Sequence, residues 1–198
     1  GLDHAFRVGV IHRDIKPGNI LVDRDGISKI LDMGLARFYN DDNDMLTKKY
    51  DEKSVLGTAD YVAPEQTVNS HEVDVRADIY SLGLVLYECL AGHVPFKGDN
   101  DQQVAIARLQ RDPTPLGGVR HDVPSTVIEV IHKMLRRKPE NRYQTADEVV
   151  EALDKALSHV HDAATPPAGL EGHDRSRSGS RAPLDPLMHK RVERSEER

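Results

Sequence analysis

A mainly α-helical domain carrying one small β-hairpin, α+β overall, is the fold class this sequence predicts, and three observations predict it. Residues 75–91 are apolar nearly all round, as a helix buried at the centre of a domain must be. In residues 124–137 and again after residue 145, apolar side chains recur at helical spacing. Near the start, two short runs rich in Ile, Leu and Val flank an Asp-Gly pair. That pair favours the positive φ of a tight hairpin turn.

In chain order, Asp3 to Gly9 reads as the last turns of a helix, and Val10-Ile11 leads from it into a polar loop. Ile20-Leu21-Val22 and Ile27 to Leu31 are the two hairpin strands, joined by Asp23-Arg24-Asp25-Gly26. Residues 34–58 lack sustained periodicity and include the acidic run from Asn40 to Asp44; loops of that length in a domain are usually functional or disordered. Val75 to Ala91 is the central helix, closed by Gly92. Gln102 to Gln110 is a shorter, more exposed helix. Val127, Ile128, Ile131, Met134 and Leu135 mark a helix over Pro124 to Arg137, stopped by Lys138-Pro139. The last helix opens on Thr145-Ala-Asp-Glu148, a capping box, with Val149, Leu153, Ala156 and Leu157 as its buried stripe. No internal repeat is present.

Composition sets the outer limits. The apolar fraction is 38%, lowered by a final stretch of Pro, Gly, Ser, Arg and Glu that cannot bury enough surface to offset its ordering entropy. We therefore read residues 1–162 as globular and 163–198 as a disordered tail or linker. The net charge of −6 sits on the globular part, since the tail holds seven Lys/Arg against six Asp/Glu. An acidic domain is a poor non-specific binder of nucleic acid or anionic membrane, so neither is expected as a partner. The single cysteine, Cys89, lies in an apolar run and is expected to be a buried structural thiol; one cysteine forms no disulfide framework. No apolar run approaches the roughly eighteen residues needed to span a bilayer. A cytoplasmic location is expected for this piece, with a membrane anchor in a longer parent left open.

The chemistry concentrates in His12-Arg13-Asp14-Ile15-Lys16-Pro17-Gly18-Asn19, followed by Asp32-Met33-Gly34. Phosphoryl transfer needs a carboxylate to take the proton of an attacking hydroxyl and positive charge on the transferring phosphate. It also needs oxygen ligands for a hard cation such as magnesium. The hairpin brings Asp14, Asn19 and Asp32 to the same end of two adjacent strands. The remaining histidines show no metal-ligand spacing and read as solvated or capping residues. His12 reads as a packing residue beneath Met33. Asp23, Asp25 and the acidic run read as turn and surface residues.

These blocks, with Ala63-Pro64-Glu65, resemble the signature set of protein kinases. Gly57-Thr58-Ala59-Asp60-Tyr61, Asp78-Ile79-Tyr80-Ser81-Leu82-Gly83 and Pro139-Glu140-Asn141-Arg142 extend the match in the same order. Over roughly residues 1–160 the chain looks like the C-terminal lobe of a bacterial-style serine/threonine protein kinase. The resemblance implies ATP and Mg²⁺ as cofactors, with Mn²⁺ able to substitute, and protein Ser/Thr hydroxyls as acceptors. It implies Asp14 as catalytic base, Lys16 on the γ-phosphate, Asn19 and Asp32 as metal ligands, and Thr58 bracing Asp14 and Lys16. Ala59 to Val62 would line the site for the residue after the phosphoacceptor. Asp78 would hold the catalytic loop from below, and Glu65 and Arg142 would form a buried ion pair; His12 and Gly34 are structural members of their blocks. Arg13 would pair with a phosphate on the segment between Asp32 and Glu65, where Thr47 and Ser54 are the candidate acceptors, with Tyr50 behind them. Both also read as plain polar loop residues.

The pattern departs at Met33, where the family usually has Phe. The glycine-rich loop, the lysine strand and the glutamate helix of the N-terminal lobe are not in the sequence. The chain is therefore expected to be a fragment, negligibly active alone. Two alternatives stay open: a non-catalytic kinase-like interaction module, and a small-molecule kinase of the aminoglycoside type. The Ala-Pro-Glu block, Asp78 and Arg142 argue against the second.

Overall fold

Val75–Ala91 forms a seventeen-residue helix that contributes to every apolar cluster of the domain. The computed structural model describes residues 1–32, 37–38, 59–68 and 73–164, and the first compact unit spans Gly1–Thr165. The element order is α1 (Leu2–Arg7), β1 (Val10–Ile11), β2 (Ile20–Val22), β3 (Ser28–Ile30), β4 (Arg37–Phe38), α2 (Pro64–Val68), α3 (Val75–Ala91), α4 (Asp101–Gln110), α5 (Ser125–Met134) and α6 (Ala146–Ala164). The architecture is mainly helical with two small antiparallel sheets. β2 pairs β3 with Ile20 opposite Ile30 and Val22 opposite Ser28. β1 pairs β4, a two-residue contact that the sequence pattern did not signal. Met33, Gly34, Thr47, Tyr50, Ser54, Thr58 and the expected tail beyond Ala164 lie outside the described residues.

The sequence explains why α3 sits where it does. The Asp74 carboxylate caps its first turn by accepting the Arg76 N–H, and Gly92 ends it in the left-handed region at φ 76°, where a side chain would be strained. Tyr80, Leu84 and Tyr87 face a cluster with Ile11, Phe96, Leu116, Ile131 and Leu135. Ile79 faces a second cluster with Val130, Met134, Tyr143 and Val149, and Val85 a third with Leu2 and Ile15. Gly83 allows the close crossing of α5, because a Cβ there would stand 3.0 Å from the Met134 Cβ.

Several expectations are corrected. Cys89 is exposed, not buried; it lies one helical turn past Val85, beyond the cover that Leu2 and Ile15 provide. Leu157 is 56% exposed, and Ala152 joins Val149, Leu153 and Ala156 in the buried stripe instead. α5 ends at Met134, three residues short of Arg137. The Arg142 side chain donates to the Arg136 and Arg137 carbonyls at 2.7 and 2.8 Å and holds that stretch out of the helix. At the start of α6 the Thr145 hydroxyl accepts the Glu148 N–H as a capping box requires, but the Glu148 carboxylate reaches back to the Gln144 N–H, one residue early. Among the described residues no helix is long and apolar enough to cross a membrane.

Candidate active site

The loop between β1 and β2 is built on a strained backbone. Arg13, a residue with a full side chain, holds φ at 68°, a conformation that costs on the order of 1–3 kcal/mol unless its surroundings over-determine it. Its surroundings do so. The Asp78 carboxylate rises from α3 and accepts the His12 N–H and the Arg13 N–H, each at 2.8 Å. Asp78 is 2% exposed, and burial pushes its carboxyl above the ordinary carboxylate range while the two N–H donors pull it back. The His12 ring is buried and bonded at both nitrogens: Nε2 donates to the Leu31 carbonyl at 3.1 Å, and Nδ1 accepts the Asp14 N–H at 3.3 Å. Since Nδ1 accepts, the ring is the neutral tautomer with its proton on Nε2. It bridges the loop to the end of β3.

Those bonds present Asp14. Its Oδ2 accepts the Lys16 ammonium at 2.8 Å and the Asn19 amide at 2.9 Å. Asn19 Nδ2 also donates to the Asp14 backbone carbonyl at 2.8 Å, closing the loop on itself. Asp14 Oδ1 is buried and has no hydrogen-bond partner among the described residues. With Nδ2 committed to Asp14, the Asn19 side-chain oxygen is the atom of that side chain that could accept a cation. The Leu31 N–H donates to the Asn19 carbonyl of the backbone at 2.8 Å, which sets Asp32 at the same end of the hairpin. Asp32 is exposed and, like Arg13, has positive φ, 58°. Two hard oxygen donors at one hairpin end fit a magnesium-type cation. Among the described residues no group of three or more His, Cys, Asp and Glu is placed to hold a metal ion.

The wall formed by residues 61–66 is braced separately. Arg142 meets Glu65 in a two-pronged ion pair, Nη1 to Oε1 at 2.6 Å and Nη2 to Oε2 at 2.8 Å, with the arginine side chain fully buried and the glutamate 18% exposed. The Tyr61 hydroxyl donates to Glu88 Oε2 at 2.5 Å; burial and that carboxylate push its pKa well up. Arg108 is 1% exposed, and its Nη1 donates to the Val62 carbonyl at 2.5 Å. Burial lowers its pKa, though from a value so high that it stays a cation. Gln66 joins this wall to the loop after β1 by bonds to the Ala63 N–H and the Arg13 carbonyl. Sequence reasoning missed Arg108 and Gln66. Arg108 lies one turn after the buried Val104, but no local pattern marks an arginine there as buried, and Gln66 is signalled only by its position directly after Ala63-Pro64-Glu65.

The loop thus gathers a carboxylate, an ammonium and an amide around one point, beside a wall held by a buried ion pair. The protein kinase domain profile matches residues 1–154, and the chain belongs to that family. It is 40% identical over 154 residues to a probable serine/threonine-protein kinase of Clostridium perfringens, covering 78% of this chain and 22% of that protein. To the serine/threonine-protein kinase PknB of Mycolicibacterium smegmatis it is 40% identical over 167 residues, 84% of this chain and 25% of the relative. A probable serine/threonine-protein kinase of Clostridium acetobutylicum is 40% identical over 162 residues, 81% of this chain and 24% of its own length. The chain thus spans about a quarter of the length of the curated relatives it matches.

Proposed function

We propose that residues 1–164 form the C-terminal, substrate-side lobe of a serine/threonine protein kinase, and that the transferred group is the γ-phosphoryl of ATP. Asp14 is the base. Its Oδ1 takes the proton of the acceptor hydroxyl as the new oxygen–phosphorus bond forms and the bond to ADP breaks. Lys16, tied to Oδ2, places its ammonium toward the transferring phosphate, and Asn19 and Asp32 would hold magnesium. When bound, that ion neutralises charge on the phosphate oxygens. Thr58 would brace Asp14 and Lys16. Arg13 would answer a phosphate on Thr47 or Ser54. The observation that carries the reading is the division of labour on Asp14: one carboxylate oxygen held by two donors, the other buried and uncommitted among the described residues.

The reading assigns the nucleotide clamps to an N-terminal lobe that residues 1–198 do not carry, so the chain alone is expected to turn over far below the kinase range of roughly 1–100 s⁻¹. Joined behind a kinase small lobe, it is expected to label serine or threonine in a magnesium-dependent way. Asp14→Asn should then cut kcat by about 10²–10⁴ with little change in stability. Equal labelling by that variant ends the reading.

A further inference from the structure

We infer that Gln66 is a positioning residue for catalysis, transmitting the fixed frame of the substrate-side wall to the backbone carbonyl beside the catalytic base. The inference rests on the phosphotransfer reading only in what is being positioned. The geometry stands by itself. Gln66 Oε1 accepts the Ala63 N–H at 3.0 Å, and its Nε2 donates to the Arg13 carbonyl at 3.1 Å. Both partners are backbone groups of fixed polarity, so the orientation of the amide is determined: oxygen toward the wall, nitrogen toward the loop.

Arg13 is the residue that needs holding. Its left-handed φ of 68° persists only under constraint from both sides. Asp78 takes its N–H from the α3 side; Gln66 takes its C=O from the wall. The wall is in turn immobilised. Arg108 holds the Val62 carbonyl, Tyr61 is bonded to Glu88 of α3, and Glu65 is gripped by Arg142. Asp14 is covalently next to the clamped peptide. A displacement of residues 61–66 therefore pulls on the carbonyl side of the Arg13–Asp14 peptide, whose N–H is held by the His12 ring, and shifts Oδ1, whereas the Lys16 and Asn19 contacts travel with the loop. Gln66 bonds both segments directly through backbone groups, so it sets the distance between the acceptor-side wall and the base.

Two substitutions separate its two bonds. Gln66→Glu keeps an acceptor for the Ala63 N–H but presents oxygen, not nitrogen, to the Arg13 carbonyl. Gln66→Met keeps the length and removes both bonds. Amide hydrogen exchange on the chain is the first readout. In Gln66→Met, the Ala63, Arg13 and Asp14 amides should all exchange about tenfold faster, the loss of roughly one hydrogen bond. In Gln66→Glu the Ala63 amide should stay protected while Arg13 and Asp14 accelerate. The Ile131 and Met134 amides of α5 should not change in either, which separates a local release from general unfolding. Unaltered exchange at Arg13 and Asp14 in Gln66→Met overturns the inference. Acceleration of the α5 amides to the same degree overturns it as well, since the residue would then be merely structural.

The second readout is kinetic, in the chain joined to a small lobe. Gln66→Glu should lower kcat about tenfold while KM for ATP stays within twofold; a change in KM alone overturns the positioning role. If the parent protein transfers no phosphate, the kinase reading falls, and hydrogen exchange still decides whether the clamp exists.

Discussion

In the loop from His12 to Asn19 the backbone is fixed by polar bonds: Asp78 to two amides, His12 to the Leu31 carbonyl, Asn19 to the Asp14 carbonyl, Gln66 to the Arg13 carbonyl. Where α5 meets α3 and α6 the contacts are almost all apolar, from Val130 and Met134 to Ile79, Val149 and Ala156, and from Ile131 to Tyr80 and Leu84. The two regions do different work for a physical reason. Apolar burial is non-directional and scales with area, so it stabilises without fixing any one atom. Hydrogen bonds add little net stability but are directional, so they can hold a strained peptide and a carboxylate in place. The bundle supplies stability, and the loop spends some of it on geometry.

Arg142 lies where the two regimes meet, and it offers the largest test. It is a fully buried cation paired with Glu65 and also bonded to the Arg76, Arg136 and Arg137 carbonyls. Arg142→Met should destabilise the fold by about 3–5 kcal/mol, because the carboxylate and three carbonyls lose their partner together. Urea denaturation measures this. A loss below about 1 kcal/mol would mean that Glu65 rehydrates through its exposed edge, and that the pair belongs with the weak surface bridges.

Met134→Ala sharpens the contrast from the apolar side. Met134 is fully buried between α3 and α6, so truncation should cost about 2–5 kcal/mol. Amide protection at His12, Arg13 and Asp14 relative to the remaining core should be unchanged. Selective loss of protection in the loop would show that bundle packing, and not the polar clamps, positions Asp14.

The smallest effect is a pH dependence inside the bundle. His132 Nε2 accepts the Leu116 N–H at 3.1 Å, which requires the neutral ring. Burial, and then the nearby Arg136 charge, lowers its pKa below the ordinary histidine value. A lowered histidine pKa means that the unfolded chain takes up the proton first as pH falls. The bond's contribution of about 1 kcal/mol is therefore fully present above roughly pH 6.5 and lost below it as the pH drops through the folded pKa. Urea midpoints at pH 7.5 and 5.5 measure the loss, and His132→Gln, which keeps an acceptor without a titrating group, should reduce the difference. An equal pH dependence in that variant would assign it to another group.

Legibility in the sequence followed the same divide. The α3 span, the Asp-Gly hairpin and the approximate positions of α4 to α6 are local properties, carried by periodicity, caps and turn residues, and the structure places them within a few residues. The closeness of Asp14, Lys16 and Asn19 was legible because they share one short loop, and that of Asp32 because the hairpin returns the chain to the same end. Cys89, Leu157 and the early end of α5 were not. Exposure depends on what another segment covers, and the end of α5 depends on a guanidinium arriving from Arg142.

By itself, then, the sequence determined which residues are helical, where the hairpin turns and which polar side chains gather on the loop after β1, since each of those depends on neighbours a few positions away. Only the tertiary structure decided that Arg13 would be held at positive φ, that Arg108 would be buried against Val62 and that Gln66 would bridge wall and loop. Those depend on hydrogen bonds between groups 46 to 65 residues apart, whose partners no local pattern specifies.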